Sequence, residues 1–268
     1  MTGKKYKILM SVDDNINTVL HDISRASQFA KFAQGGIYKI KKINDCKEEN
    51  QIASYNSSSP LKRKYFRGWE EEFINWSLNN SFNLLLESFF TFIETLIVFL
   101  ELNKQEITLQ AGDDPLTILK KRQGKIKKLH RDYSTMEKTL KRHNITLSTE
   151  LCQVINSFNE IRVILTHNRS IADERKNLSF KDGKVELWWY FPQVIEVDLA
   201  SGREMKINEN IDSPNRAIAI KPRSLQKKVI NIDKPIVFSF TEIQHIAYTF
   251  RLVIEEIAKQ AKLALQPT

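Results

Sequence analysis

Arg162 and His167 stand five residues apart in the run Asn159-Glu-Ile-Arg162-Val-Ile-Leu-Thr-His167-Asn168-Arg169, where an apolar-periodic segment passes into a polar turn. Metal-free cleavage of a phosphodiester needs a group that exchanges a proton near neutral pH and a fixed positive charge for the pentavalent phosphate. Histidine is the side chain whose ordinary pKa lies in that range. Arginine offers a permanently charged, forked donor to phosphate oxygens. Spacing alone leaves a plainer reading open, in which the two residues are a surface feature or a satisfied hydrogen-bonding pair.

The longer run Glu160-Ile-Arg162-Val-Ile-Leu-Thr-His167-Asn168-Arg169-Ser-Ile-Ala-Asp173 resembles the signature of the HEPN superfamily, an arginine followed after four to six residues by a histidine. The resemblance extends over residues 64 to 175. It implies a helical bundle that dimerises around one composite cleft, and a metal-independent endoribonuclease of toxin, defence or RNA-processing type that needs no cofactor. On that pattern Arg162 and His167 are the catalytic pair and Asn168 is a frequent companion that orients the substrate. Glu160, Arg169, Lys127 and Lys128 are further candidates to bind or orient RNA. The partners implied are RNA, a second copy of the chain and a cognate inhibitor protein, with no membrane. Val163 departs from the pattern, because the residue after the arginine is commonly polar. That departure leaves open a non-catalytic HEPN-like module that binds RNA or another protein.

Helix geometry constrains the pair. At about 100° per residue, His167 falls about 140° around a regular helix from Arg162, whereas Glu160 and His167 share a face. Two side chains so placed do not meet within one helix. Either the helix ends or distorts before His167, or the groups meet across a dimer interface.

The rest of the composition is compatible with that chemistry. The chain has 268 residues, 41% hydrophobic and 27% charged, enough for one large domain or two small ones. Its 41 Lys and Arg against 32 Asp and Glu give a formal charge of +9, which favours a polyanionic partner through counterion release. Cys46 and Cys152 are far apart and lack metal-ligand spacing, so reduced thiols and a cytoplasmic protein are expected. The basic start reaches Asp13 and Asp14 before any apolar stretch long enough for a signal peptide.

The elements that must position the motif read as an α+β fold: a HEPN-like helical bundle, a β-rich C-terminal segment and a closing C-terminal helix. Residues 1 to 60 form an N-terminal segment: a helix over Asn15 to Phe32 stopped by Gly35-Gly36, a strand over Ile37 to Ile43, and a polar linker from Lys47 to Pro60. Residues 61 to 176 hold the bundle. A helix from Trp69 to Asn103 carries Glu87, Glu94 and Glu101 every seven residues, one polar stripe on an otherwise apolar cylinder. Three carboxylates are costly in hydrocarbon, so a buried bundle helix that touches more than one neighbour is predicted. The stripe is either a solvated face or, through Glu87 or Glu94, a wall of the Arg162/His167 cleft.

After a turn in which Asp113 or Asp114 caps and Pro115 starts the helix, one strongly basic helix is predicted from Leu116 to Arg142. The motif helix starts near Ser148 and buries Leu151, Val154, Ile155, Phe158, Ile161 and Leu165 on one stripe, with Arg162 at its edge. Residues 177 to 240 alternate as strands. Leu178 to Phe180 and Val185 to Phe191 flank Asp182-Gly183, Gln193 to Leu199 and Arg203 to Ile207 flank Ser201-Gly202, and further strands fall at Arg216 to Ile220 and Ile236 to Phe240. Trp188-Trp189-Tyr190-Phe191 offers rings for base stacking, although alternation puts at least half of them in the core. A capping box at Thr241 to Gln244 opens the last helix, which runs to Ala264 and returns to the bundle.

Overall fold

In the computed structural model the described residues are 4–6, 12–43, 69–103, 107–109, 113–129, 133–167, 183–206, 216–231 and 234–265. Their order is β1 (Lys4–Tyr6), α1 (Val12–Ile43), α2 (Trp69–Asn103), β2 (Ile107–Leu109), α3 (Pro115–Leu129), α4 (Tyr133–Arg142), α5 (Thr149–His167), β3 (Lys184–Asp198), β4 (Glu204–Lys206), β5 (Arg216–Asn231) and α6 (Phe240–Ala264). The architecture is α+β, with a helical core and two antiparallel sheets, β1-β2 and β4-β3-β5.

α2 has the bounds its apolar periodicity predicts, and it is the axis of the core. Phe82, Leu85, Phe89, Ile93, Leu96 and Ile97 along it are almost wholly buried. It is long and apolar enough to cross a membrane by length and composition, yet 56% of its apolar window is buried inside the protein. α1, α5 and α6 all pack on it. Phe158 of α5 lies 4.6 Å, centroid to centroid, from Phe250 of α6, and Phe89 lies 5.0 Å from the same ring. These aromatic contacts join the three helices at the centre of the core.

Three helical expectations need correction. α1 runs unbroken through Gly35-Gly36 to Ile43, where a helix stop and a strand were predicted. A glycine in a helix interior costs about 1 kcal/mol relative to alanine, which weakens a helix without ending it. Ile37, Ile40 and Ile43 also recur every three residues, a spacing that suits a helix as well as a strand. In place of one helix over Leu116 to Arg142 there are two, α3 and α4. The capping box of α6 is Ser239 with Glu242, two residues before the predicted one: the Ser239 side chain accepts from the Glu242 N–H, and the Glu242 carboxylate accepts from the Ser239 N–H. The turn before α3 forms as predicted, since the Asp114 carboxylate accepts from the N–H groups of Leu116 and Thr117, and Pro115 is the first helical residue.

β3 pairs with β5 from Lys184↔Asn231 to Asp198↔Arg216. The predicted partner at Leu178 to Phe180 lies outside the described residues. Two expected strands, Val185 to Phe191 and Gln193 to Leu199, are one strand with a register shift between Phe191 and Gln193. Pro192 sits at that shift, where a residue without an N–H does no harm to the ladder. The Ser201-Gly202 turn joins β3 to β4 as predicted, with Gly202 at φ +69° and the Asp198 carboxylate accepting from Ala200 and Ser201. Residues 236–239 do not form the predicted strand. Ile236 and Phe238 are buried and Val237 and Ser239 exposed, so the alternation is real, but the segment leads straight into α6 and the Ile236 carbonyl accepts from Asn79 of α2.

The outer edge of β3 is closed by helices where β4 does not reach. The Trp188 N–H donates to the Ser157 hydroxyl of α5, and the Tyr190 N–H to the Thr249 hydroxyl of α6. Trp189 and Tyr190 are buried, and Trp188 and Phe191 are half-buried, so the aromatic run serves mainly as a contact between sheet and helices.

Candidate functional site

α5 is the helix that carries the motif, and its construction is plain in the sequence. The Ser148 hydroxyl accepts from the Leu151 N–H, which satisfies one free donor of the first turn. Leu151, Val154, Ile155, Phe158, Ile161 and Leu165 are all buried as their spacing predicts. Arg162, at the edge of that stripe, is half-buried, and its guanidinium carbon lies 4.8 Å from the centroid of the Phe90 ring on α2. A guanidinium over an aromatic face gains a cation–π attraction while its remaining N–H donors stay directed elsewhere.

α5 continues to His167 as its last residue. The helix therefore does not end before His167, and the two motif positions remain about 140° apart around its axis. The side chain of His167, and the whole of Asn168 and Arg169, lie outside the described residues. Glu160 is half-buried on α5, as is Val163.

The carboxylate stripe of α2 faces the helices that carry basic residues. Lys127 of α3 donates to the Glu94 carboxylate at 3.2 Å. Glu101 accepts from the buried His143 ring at 3.0 Å and lies 3.8 Å from Arg142 at the end of α4. Glu87 is exposed. Phe90 and Glu94 are four residues apart on α2, hence neighbours at about 6 Å on its surface. The residues that receive them, Phe90 for Arg162 and Glu94 for Lys127, are thus one helical turn apart on α2. Lys128 is exposed on α3, alongside exposed Lys120, Lys121 and Lys125.

Sequence reasoning missed Phe90 and Tyr133. The Tyr133 ring meets Phe90 edge-on at 6.0 Å, and its buried hydroxyl makes no hydrogen bond among the described residues. Burial, reinforced by Cys152 and Glu137, holds that phenol well above its ordinary range, so it stays neutral. The available signal was the position of Phe90 between Glu87 and Glu94, which puts an aromatic ring on the edge of the polar stripe. Among the described residues no three His, Cys, Asp or Glu side chains converge closely enough to hold a metal ion. Chemically, the exposed lysines of α3 can bind an anion, and Arg162 is held against a ring of α2.

Compared with protein-family models, curated proteins and solved structures, the chain matches none of them.

Proposed function

We propose that the chain is a metal-independent endoribonuclease of HEPN type, acting as a homodimer in a toxin or defence setting with a cognate inhibitor. The observation that carries this reading is the placement of Arg162 on Phe90, one turn of α2 from the Glu94 that holds Lys127, at the end of the helix that also bears His167. In the proposed reaction the ribose 2′-oxygen attacks the adjacent phosphorus and the bond to the 5′-oxygen breaks. His167 removes the 2′-hydroxyl proton or supplies the proton that the leaving 5′-oxygen takes up, and Arg162 balances charge on the phosphate oxygens. The products carry 2′,3′-cyclic phosphate and 5′-hydroxyl ends. Asn168, Glu160 and Arg169 orient the substrate in this reading, and the Lys127 and Lys128 face of α3 tracks its backbone.

Because the motif positions diverge around a helix that continues to His167, the cleft is proposed to draw on two copies. Val163 favours the second reading, an RNA-binding or protein-binding module without catalysis. Labelled single-stranded RNA incubated in EDTA with wild type, Arg162→Ala and His167→Ala separates the two. The ribonuclease reading expects cyclic phosphate ends from wild type and a loss of at least about 100-fold in either variant, as for removal of a general acid–base. Equal cleavage by all three sinks the assignment. Binding without cleavage by any of them supports the module.

A further inference from the structure

Phe90 is an apolar residue in a charged setting. It stands on α2 three residues after Glu87 and four before Glu94, so on the helix surface it lies between two carboxylates. Glu87 is exposed, and Glu94 accepts from Lys127. Phe90 itself is buried, and its ring is fixed by T-shaped contacts with Phe89 at 5.4 Å and Tyr133 at 6.0 Å. Over this fixed ring lies the half-buried Arg162 of α5, 4.8 Å from guanidinium carbon to ring centroid.

The kind of neighbour matters for an arginine that must answer a phosphate. A carboxylate at position 90 would attract the guanidinium and cancel its charge, and phosphate would then have to compete for it. A ring attracts the cation through its quadrupole and carries no net charge, so the full positive charge is left for an anion. The ring also restricts a long side chain before substrate arrives, which removes part of the ordering cost from the binding and chemical steps. We propose that Phe90 is the positioning residue for Arg162: it seats the guanidinium without neutralising it. The inference rests on the ribonuclease reading above and names the residue that holds its cation.

Replacing Phe90 in the full chain by mono-, di- and trifluorinated phenylalanine tests it, because fluorine nearly preserves the size of the ring and drains its negative face. With labelled single-stranded RNA in EDTA, kcat should fall stepwise with each fluorine, by about 10-fold for the trifluorinated ring, while KM changes less. Phe90→Leu should lose at least as much. The same series carried on Arg162→Met supplies a readout that does not depend on cleavage. The urea midpoint should fall with each fluorine more steeply beside the arginine than beside the methionine, as a cycle between two contacting residues requires. Arg162-dependent cleavage that is indifferent to fluorination, or equal slopes of stability in the two backgrounds, overturns the role of Phe90 and leaves the ribonuclease reading standing. Absence of any Arg162-dependent cleavage overturns that reading and the part of Phe90 in it together.

Discussion

At the scale of residues, the neighbourhood of Arg162 is organised by rings. Phe90 presents a face to the guanidinium and an edge contact to Tyr133, whose hydroxyl is buried without a partner among the described residues. A buried polar group with no hydrogen bond has lost its water and gained nothing in return. Tyr133→Phe is therefore expected to raise stability by about 1 kcal/mol, read as a shifted urea midpoint with an unchanged slope. A destabilisation of similar size would show that the hydroxyl has a partner. His245 offers a second test. Its ring lies tilted against Phe191, 5.5 Å between centroids, and burial pulls its pKa below the ordinary value, against an opposing pull from Glu242. The unfolded chain then takes up this proton first as pH falls, so the contribution is absent above about pH 6.5 and destabilising below it. Between pH 7 and pH 5 wild type should lose more stability than His245→Gln. Parallel pH profiles for the two proteins would assign the loss elsewhere.

At the scale of elements, β3 shows how helices complete a sheet. The Tyr190 N–H donates to the Thr249 hydroxyl at 2.8 Å, and that hydroxyl lies within hydrogen-bond reach of the Tyr190 and His245 carbonyls. Thr249→Val keeps the shape and strands a buried N–H, at an expected cost of about 2 kcal/mol, and Thr249→Ser should recover most of it. Full stability of the valine variant would mean that the edge is satisfied in another way. This closure could not be read from the chain, because it depends on which helix side chains arrive beside the strand. What could be read was local. The bounds of α2, the buried stripe of α5, the Asp114-Pro115 start and the Gly202 turn each follow from residues within a few positions of one another. Alternation at 236–239 reported burial correctly and pairing wrongly, since a period of two reveals which side chains face inward and says nothing of a hydrogen-bonded neighbour. The Arg162 motif was visible as a pattern, while its seat on Phe90 depended on how α5 crosses α2.

At the scale of the whole molecule, the formal charge of +9 is legible in composition, but its distribution is a property of the fold. Much of the basic charge is answered locally. Lys221 pairs with Glu204, Lys227 with Glu186, Lys228 with Glu242 and Lys262 with Asp13. α3 differs, because it has no acidic residue of its own and exposes Lys120, Lys121, Lys125 and Lys128. If the excess charge acts through this helix, RNA affinity should fall linearly with the logarithm of salt concentration, each neutralised phosphate on a single strand adding about 0.7 to the slope. Replacing those four lysines by glutamine should then reduce the slope by about 3, with Lys127 left in place because it holds Glu94. Arg162→Ala should lower the slope by less than 1 and fall hardest on cleavage, since one guanidinium answers one phosphate. A salt dependence untouched by the four substitutions would move the polyanion off α3. It would also remove the reason to place the RNA backbone beside Arg162, because the two basic features would no longer share a ligand.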